Sequence, residues 1–284
     1  VILAVASGKG GTGKTMLATS LALSITDAQY IDCDVEEPNG DLFLHADIQA
    51  RRPVGIPVPR INQDRCTLCG RCSEACEFNA LAQSKTRVLV FADMCHGCGV
   101  CSYVCPEEGA ITETERRIGE VETGVVQGRD AHDVLFAQGR LDVGELMATP
   151  LIKAVRKTSD PARTVILDAP PGTSCPLVET VRGVDYCLLV TEPTPFGLND
   201  LALAVGVMRL LSLPLGVIIN RSDSGDRQVK DYCDREDIPV LMEIPFRRDL
   251  AEAYSKGIPF VQVDERYQAL FQHMVAKIRQ ELEP

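Results

Sequence analysis

The stretch Gly8-Lys9-Gly10-Gly11-Thr12-Gly13-Lys14-Thr15 constrains this chain more than any other. An apolar run, Val1 to Ala6, precedes it, and a helix-like segment, Met16 to Leu23, follows. Strand, glycine-rich loop and helix in that order are what a phosphate-binding P-loop requires. Gly8, Gly10, Gly11, Thr12 and Gly13 form the cradle, where backbone N–H groups close on phosphate oxygens that side chains would keep away. Lys14 would reach the β- and γ-phosphates of ATP, and the Thr15 hydroxyl would face Mg²⁺. The competing reading is a Gly/Lys-rich surface turn.

Two acidic strand ends extend the pattern. Gln29-Tyr30-Ile31-Asp32-Cys33-Asp34 is a short apolar strand closing on two carboxylates, and an acidic loop capping the next helix is its alternative reading. Thr164-Val165-Ile166-Leu167-Asp168 is a second strand ending in an acid, the place where Mg²⁺ is held through Asp168 in a P-loop enzyme. Cys33, between the acids, points the other way along the strand and is expected in the core, as are Cys187 and Cys233. Further strands are expected at 186–190, 215–219 and 240–246, with helices at 150–157, 199–211 and 262–283. The alternation predicts an α/β fold with a doubly wound, mostly parallel sheet.

The twelve cysteines set this chain apart. Cys66, Cys69, Cys72 and Cys76 are followed by Cys95, Cys98, Cys101 and Cys105-Pro106 in the same spacing, and the second run matches the bacterial ferredoxin pattern. That pattern sends the fourth cysteine of each run to the other cluster. It implies one 4Fe-4S cluster on Cys66, Cys69, Cys72 and Cys105, and a second on Cys76, Cys95, Cys98 and Cys101. Two zinc sites are the rival, although zinc motifs pair Cys-x-x-Cys knuckles across a dozen or more residues. Glu77 stands where a proline usually follows, and His96 beside Cys95 is expected to be exposed. The expected domains are residues 1–59 and 116–284 for the ATPase and 60–115 for a small α+β, ferredoxin-like insert. Pro53, Pro57 and Pro59 suggest an extended linker into the insert. Residues 116–148 are expected to form short strands and a loop near the nucleotide.

Lys9, in the order Lys-Gly-Gly-Thr-Gly-Lys-Thr, makes the chain resemble the MinD/ParA/Mrp group of deviant P-loop ATPases, which includes the nitrogenase iron protein. The resemblance implies that Lys9 acts in trans on the phosphates of a dimer partner; a lysine acting only in cis is the alternative. It implies that Asp34 positions the attacking water, that Asp32 lies near Mg²⁺, and that Gly172 in Pro-Pro-Gly-Thr donates its N–H to the γ-phosphate. It also implies that Asn220, Arg221 and the loop at Pro245 surround the base. Cys175 corresponds to a cysteine that holds an intersubunit cluster in the nitrogenase iron protein, but its second cysteine has no counterpart here.

The resemblance implies a homodimer, or a heterodimer with a related ATPase, formed through the nucleotide face, and a redox or apo-metalloprotein partner. A formal net charge of −11 argues against a broad nucleic-acid surface. No apolar run approaches a membrane span, and Lys277-Ile278-Arg279 is too little for a membrane-binding tail. With the first strand starting at Val1, no signal peptide is expected, and the compartment expected is the cytoplasm. The expected function is an ATPase in iron–sulfur or metallocofactor biogenesis. An ATP-gated electron donor is second, and a MinD-like spatial-organisation ATPase third.

Overall fold

A computed structural model of the chain describes residues 1–126 and 133–283. It divides into two compact units, one of Val1–Arg51, Val121–Arg140 and Ile152–Pro284, the other of Arg52–Glu120 and Leu141–Leu151. Residues 60–115 fall wholly within the second unit.

The first unit is built on strands β1 (Ile2–Ala6), β2 (Ala28–Asp32), β7 (Val134–Leu141), β8 (Thr164–Asp168), β9 (Tyr186–Thr191), β10 (Leu215–Asn220) and β11 (Val240–Ile244). With β3 (Asp47–Ile61) and β6 (Ile111–Val126) they form a nine-stranded sheet in the order β11-β10-β9-β1-β8-β2-β7-β6-β3. Every adjacent pair from β11 to β7 is parallel, so the expected α/β, mostly parallel sheet is what the chain forms. Strands β2 and β8 are buried at every position, which is why β8 carries a continuous apolar run, Val165 to Leu167, whereas β2 buries Gln29 and Asp32 as well. The strand order reverses about β1, and the carboxyl edge at such a reversal is where open α/β sheets bind ligands.

Helix α1 (Lys14–Ser24) starts at the loop and is buried on most of its length. Its serines make this possible: Ser24 Oγ donates to Ser20 O, and Ser20 Oγ accepts the Phe260 N–H at 2.8 Å. Helices α2 (Gly40–Leu44), α10 (Phe260–Val263) and α11 (Arg266–Leu282) pack against it. A single helix was expected over 262–283. The break falls at Asp264, whose carboxylate accepts from Arg266 and Arg247, both of which hold it well below the usual range.

The second unit carries the hairpin β4 (Leu81–Gln83) and β5 (Val88–Val90) and two short helices, α3 (Arg71–Glu74) and α4 (Val100–Val104), each entered through a left-handed glycine. Its small core is Cys72, Leu81, Val88 and Cys101.

Two expectations about the strands change. Residues 51–60 are part of β3, not a linker. Backbone N–H groups alternate sides along a strand, so Pro53, Pro57 and Pro59 all withhold donors on one side, and β3 is an edge strand with a side to spare. Within 116–148 the chain forms the long β6 and then β7 instead of short strands. The loop expected there includes 127–132, which lie outside the described residues.

The remaining helices of the chain are α5 (Ala148–Arg156), α6 (Cys175–Val181), α7 (Pro195–Leu210), α8 (Gln228–Arg235) and α9 (Arg248–Tyr254). No helix among the described residues is long and apolar enough to cross a membrane.

Candidate nucleotide site and cysteine sites

The ends of β1, β2, β8, β9, β10 and β11 carry the residues of the candidate nucleotide site. The loop after β1 turns into α1 through Gly13, at φ 87°, with a Cβ there falling 2.6 Å from Asn220 Nδ2. Asn220, at the end of β10, donates Nδ2 to Thr12 O at 2.8 Å, so this side chain clamps the loop. Gly8 is closed in on its other side, where a Cβ would lie 2.2 Å from Asp200 O. By contrast, Cβ atoms at Gly10, Gly11 and Gly172 would meet nothing within 4 Å. These three glycines border open space, and the Thr12 Oγ1 is buried with no hydrogen-bond partner among the described residues. A phosphate chain fits such a cradle.

Lys14 leaves the first turn of α1 and donates Nζ to Asp168 Oδ1 at 2.5 Å, in a buried ion pair. Asp168 stands opposite Asp32 in the β2–β8 register. The Tyr30 hydroxyl, on the same face of β2, donates to Asp168 Oδ2 at 2.9 Å and lies 3.5 Å from Asp32 Oδ2. Asp32 also accepts the N–H groups of Asp34, Asn39 and Gly40, which fold the chain after β2 back over it. Thr15 accepts the Thr19 hydroxyl on its carbonyl. Gly172, at φ 93°, donates its N–H to Ser7 O.

The charges are unbalanced. Burial, then the charge of Asp168, pushes Asp32 up to about 7, against the opposing pull of the Gly40 N–H and Lys14. Burial likewise lifts Asp34 to about 6, with Lys14 pulling the other way. Burial alone would lower the Lys14 ammonium, but Asp168, Asp32 and Asp34 together raise it above the ordinary value. One lysine thus faces three carboxylates in a poorly solvated place. That excess of negative charge would attract a cation, although the three carboxylates do not converge as a ready metal site.

Lys9 is bound less tightly. Its Nζ is 4.0 Å from Glu192 Oε2, and Arg221 Nη1 is 3.0 Å from Oε1 of the same carboxylate, without hydrogen-bond alignment. Arg221, in the left-handed region at φ 52°, opens a segment tied to the end of β11 by Ser222 N–H to Ile244 O and Phe246 N–H to Asp223 Oδ1. Pro245 lies exposed directly after β11, between Ile244 and Phe246. Sequence reasoning assigned no role to Tyr30 or Glu192. Tyr30's position two residues before Asp32 on a strand was the signal for the first.

In the second unit, Cys66, Cys69, Cys72 and Cys105 line one cavity, and Cys76, Cys95, Cys98 and Cys101 line another. Each holds about 20 Å³ of free space, so any fit rests on the donor set. No group of three or more His, Cys, Asp or Glu among the described residues is arranged to hold a single metal ion. Backbone N–H groups reach two of the sulfurs, Ala80 to Cys76 Sγ at 3.3 Å and Gly97 to Cys95 Sγ at 3.4 Å. Exposed His96 stacks on Phe78 with centroids 3.5 Å apart. Cys33, Cys187 and Cys233 are buried, and burial pushes Cys187 to about 12 and Cys233 to about 11. Cys175 is exposed at the start of α6.

Residues 3–260 match the CobQ/CobB/MinD/ParA nucleotide binding domain. The chain belongs to this family. It is accordingly a P-loop ATPase of the MinD/ParA type. Over 93% of its length and 93% of the relative's it is 28% identical to an uncharacterised protein of Methanocaldococcus jannaschii. It is 23% identical to an iron-sulfur cluster carrier protein of Aquifex aeolicus, over 92% of this chain and 61% of that one. Among solved structures, the MinD cell division ATPase of Pyrococcus furiosus superposes with a TM-score of 0.57 at 19% identity, covering 98% of each chain. That likeness is one of fold.

Proposed function

We propose that this ATPase works in iron–sulfur or metallocofactor biogenesis and carries two resident 4Fe-4S clusters in residues 60–115. The observation that carries the reading is the crossed lining of the two cavities: each draws three cysteines from one run and the fourth from the other. Ferredoxin spacing requires that partition. A cubane spreads four thiolates over four irons, so an arrangement unsuited to one ion does not speak against it. The likeness to the Aquifex aeolicus carrier protein supports the same field of chemistry.

At the nucleotide site, the backbone of residues 8–13 and Lys14 would bind the phosphates, Thr15, Asp32 and Asp168 would hold Mg²⁺, and Asp34 would orient the attacking water. Gly172 would exchange its N–H bond to Ser7 O for one to the γ-phosphate, with Asn220, Arg221 and Pro245 around the base. Bound Mg²⁺ would neutralise phosphate charge, and each cubane would store one electron. Lys9, held only at 4.0 Å by Glu192, is free to act across a nucleotide-dependent dimer.

The burial of Cys72 and Cys101 in the core of the second unit favours clusters that stay in place. It therefore supports a second reading, an ATP-gated electron donor to a metalloprotein partner. One anaerobic experiment separates the two: holo-protein is mixed with Mg-ATP and an apo-ferredoxin acceptor, and cluster spectra are followed on both proteins after separation. Clusters that move to the acceptor identify a carrier. Clusters that stay and are oxidised by an added low-potential acceptor only with ATP identify a donor. Neither response would remove both readings.

A further inference from the structure

A row of polar side chains leads from the carboxylates of the nucleotide site across the interior of the first unit. In the sheet register Asp168 stands opposite Asp32, and Asp32 opposite Gln138 on β7, so all three share one face. The Tyr30–Phe136 stack, with centroids 5.8 Å apart, lies on that face two residues earlier. Gln138 donates Nε2 to Glu122 Oε2 on β6 at 2.5 Å, and Glu122 Oε1 accepts from Arg51 Nε on β3 at 2.6 Å. Gln138 and Glu122 are 0% and 3% exposed.

Apolar residues of the same volume would serve the fold at least as well as a buried charged row. The row is also unfinished: Gln138 Oε1 is buried with no hydrogen-bond partner among the described residues, an expensive arrangement for stability alone. Its two ends are placed with meaning. One adjoins the carboxylates of the nucleotide site. The other reaches Arg51 and Glu122, at the chain positions where β3 and β6 pass from one unit's residues to the other's, Arg51/Arg52 and Glu120/Val121.

We propose that Gln138 and Glu122 are positioning residues that relay the state of the Asp32–Asp168 site to β3 and β6. A change in how Asp32 and Asp168 share Lys14 alters the field on the Gln138 amide, whose free acceptor lets it re-aim. Re-aiming loosens or tightens its bond to Glu122, and through Glu122 the hold on Arg51. The inference rests on the proposed Mg²⁺–nucleotide role of Asp32 and Asp168.

Amide hydrogen exchange on the full chain tests it, with Mg-ADP and with a non-hydrolysable Mg-ATP analogue. Wild type should differ between the two states by about threefold or more in peptides spanning 47–61 and 111–126. Glu122→Gln, and Arg51→Gln at a side chain 63% exposed, should bind both nucleotides within about twofold of wild type and lose that difference. A merely structural role would raise exchange equally in both states and leave the difference intact. Retention of the difference in both variants, or its absence in wild type, overturns the relay. Asp168→Asn is the control for the underlying site: if it keeps Mg²⁺-dependent nucleotide binding, the site reading fails and the relay with it.

Discussion

Lys14 and Lys9, five residues apart, stand in very different surroundings. Lys14 is buried, bonded to Asp168 and surrounded by carboxylates, so its charge is fixed where phosphates would arrive. Lys9 has a third of its side chain exposed and only a long contact to Glu192. Replacing Lys14 by Ala removes charge-assisted bonds worth about 1.5–3 kcal/mol each, and ATP affinity should fall roughly 10- to 100-fold by calorimetry. Lys9→Ala should bind ATP within about twofold of wild type and lose ATP-dependent dimerisation and turnover, as followed by light scattering and phosphate release. Turnover unchanged in Lys9→Ala would contradict a role in trans. Lys14 stood out in the sequence through the P-loop spacing, and Lys9 through the resemblance to the deviant P-loop group. Tyr30 and Glu192 were not, since an aromatic in a buried strand and an acid before a proline look ordinary until three-dimensional neighbours give them partners.

At the scale of elements, strand β3 carries the clearest lesson. Proline density was read as a linker, although three prolines at odd positions are compatible with one edge strand whose bonded side is intact. Their common parity was in the sequence, but the edge position that makes it tolerable depends on distant β6. A proline of the opposite parity should behave differently. Arg52→Pro, at an exposed position, should remove a ladder donor, costing about 1–3 kcal/mol and lowering the melting temperature by about 2–4 °C per kcal/mol. A melting temperature equal to wild type would show that even-numbered residues of β3 do not bond to the sheet. The long β6 escaped notice for a related reason, because its alternation is interrupted by Gly119 and Gly124. Gly124 is needed where a Cβ would lie 2.1 Å from Asp47 O, a long-range contact.

The cysteine runs are elements of another kind, and their spacing was informative because ligand geometry is local. What spacing implied, and the cavities support, is exchange of the fourth cysteine. Cys105→Ser and Cys66→Ser should therefore disturb the same cluster, and Cys76→Ser the other. Electron paramagnetic resonance of the reduced variants should show matching losses for Cys105→Ser and Cys66→Ser. A Cys105→Ser spectrum matching that of Cys95→Ser would instead assign each run to its own cluster.

For the whole molecule, the chain passes between two compact units within β3, β6, β7 and α5, and the larger unit holds the candidate nucleotide site at the reversal point of its sheet. The mostly parallel sheet was legible because P-loop, acidic strand ends and strand–helix alternation agree with one another. Placement of the polar row from Asp168 to Arg51 could not be foretold, since it depends on the register of five strands. What sets this ATPase apart is the proposal that it carries two cubanes. Iron, acid-labile sulfide and zinc measured on anaerobically purified protein test it most directly. The expected result is about eight iron atoms and about eight sulfides per chain, four of each per cubane, with little zinc. Iron near zero with about two zinc ions bound per chain would contradict it.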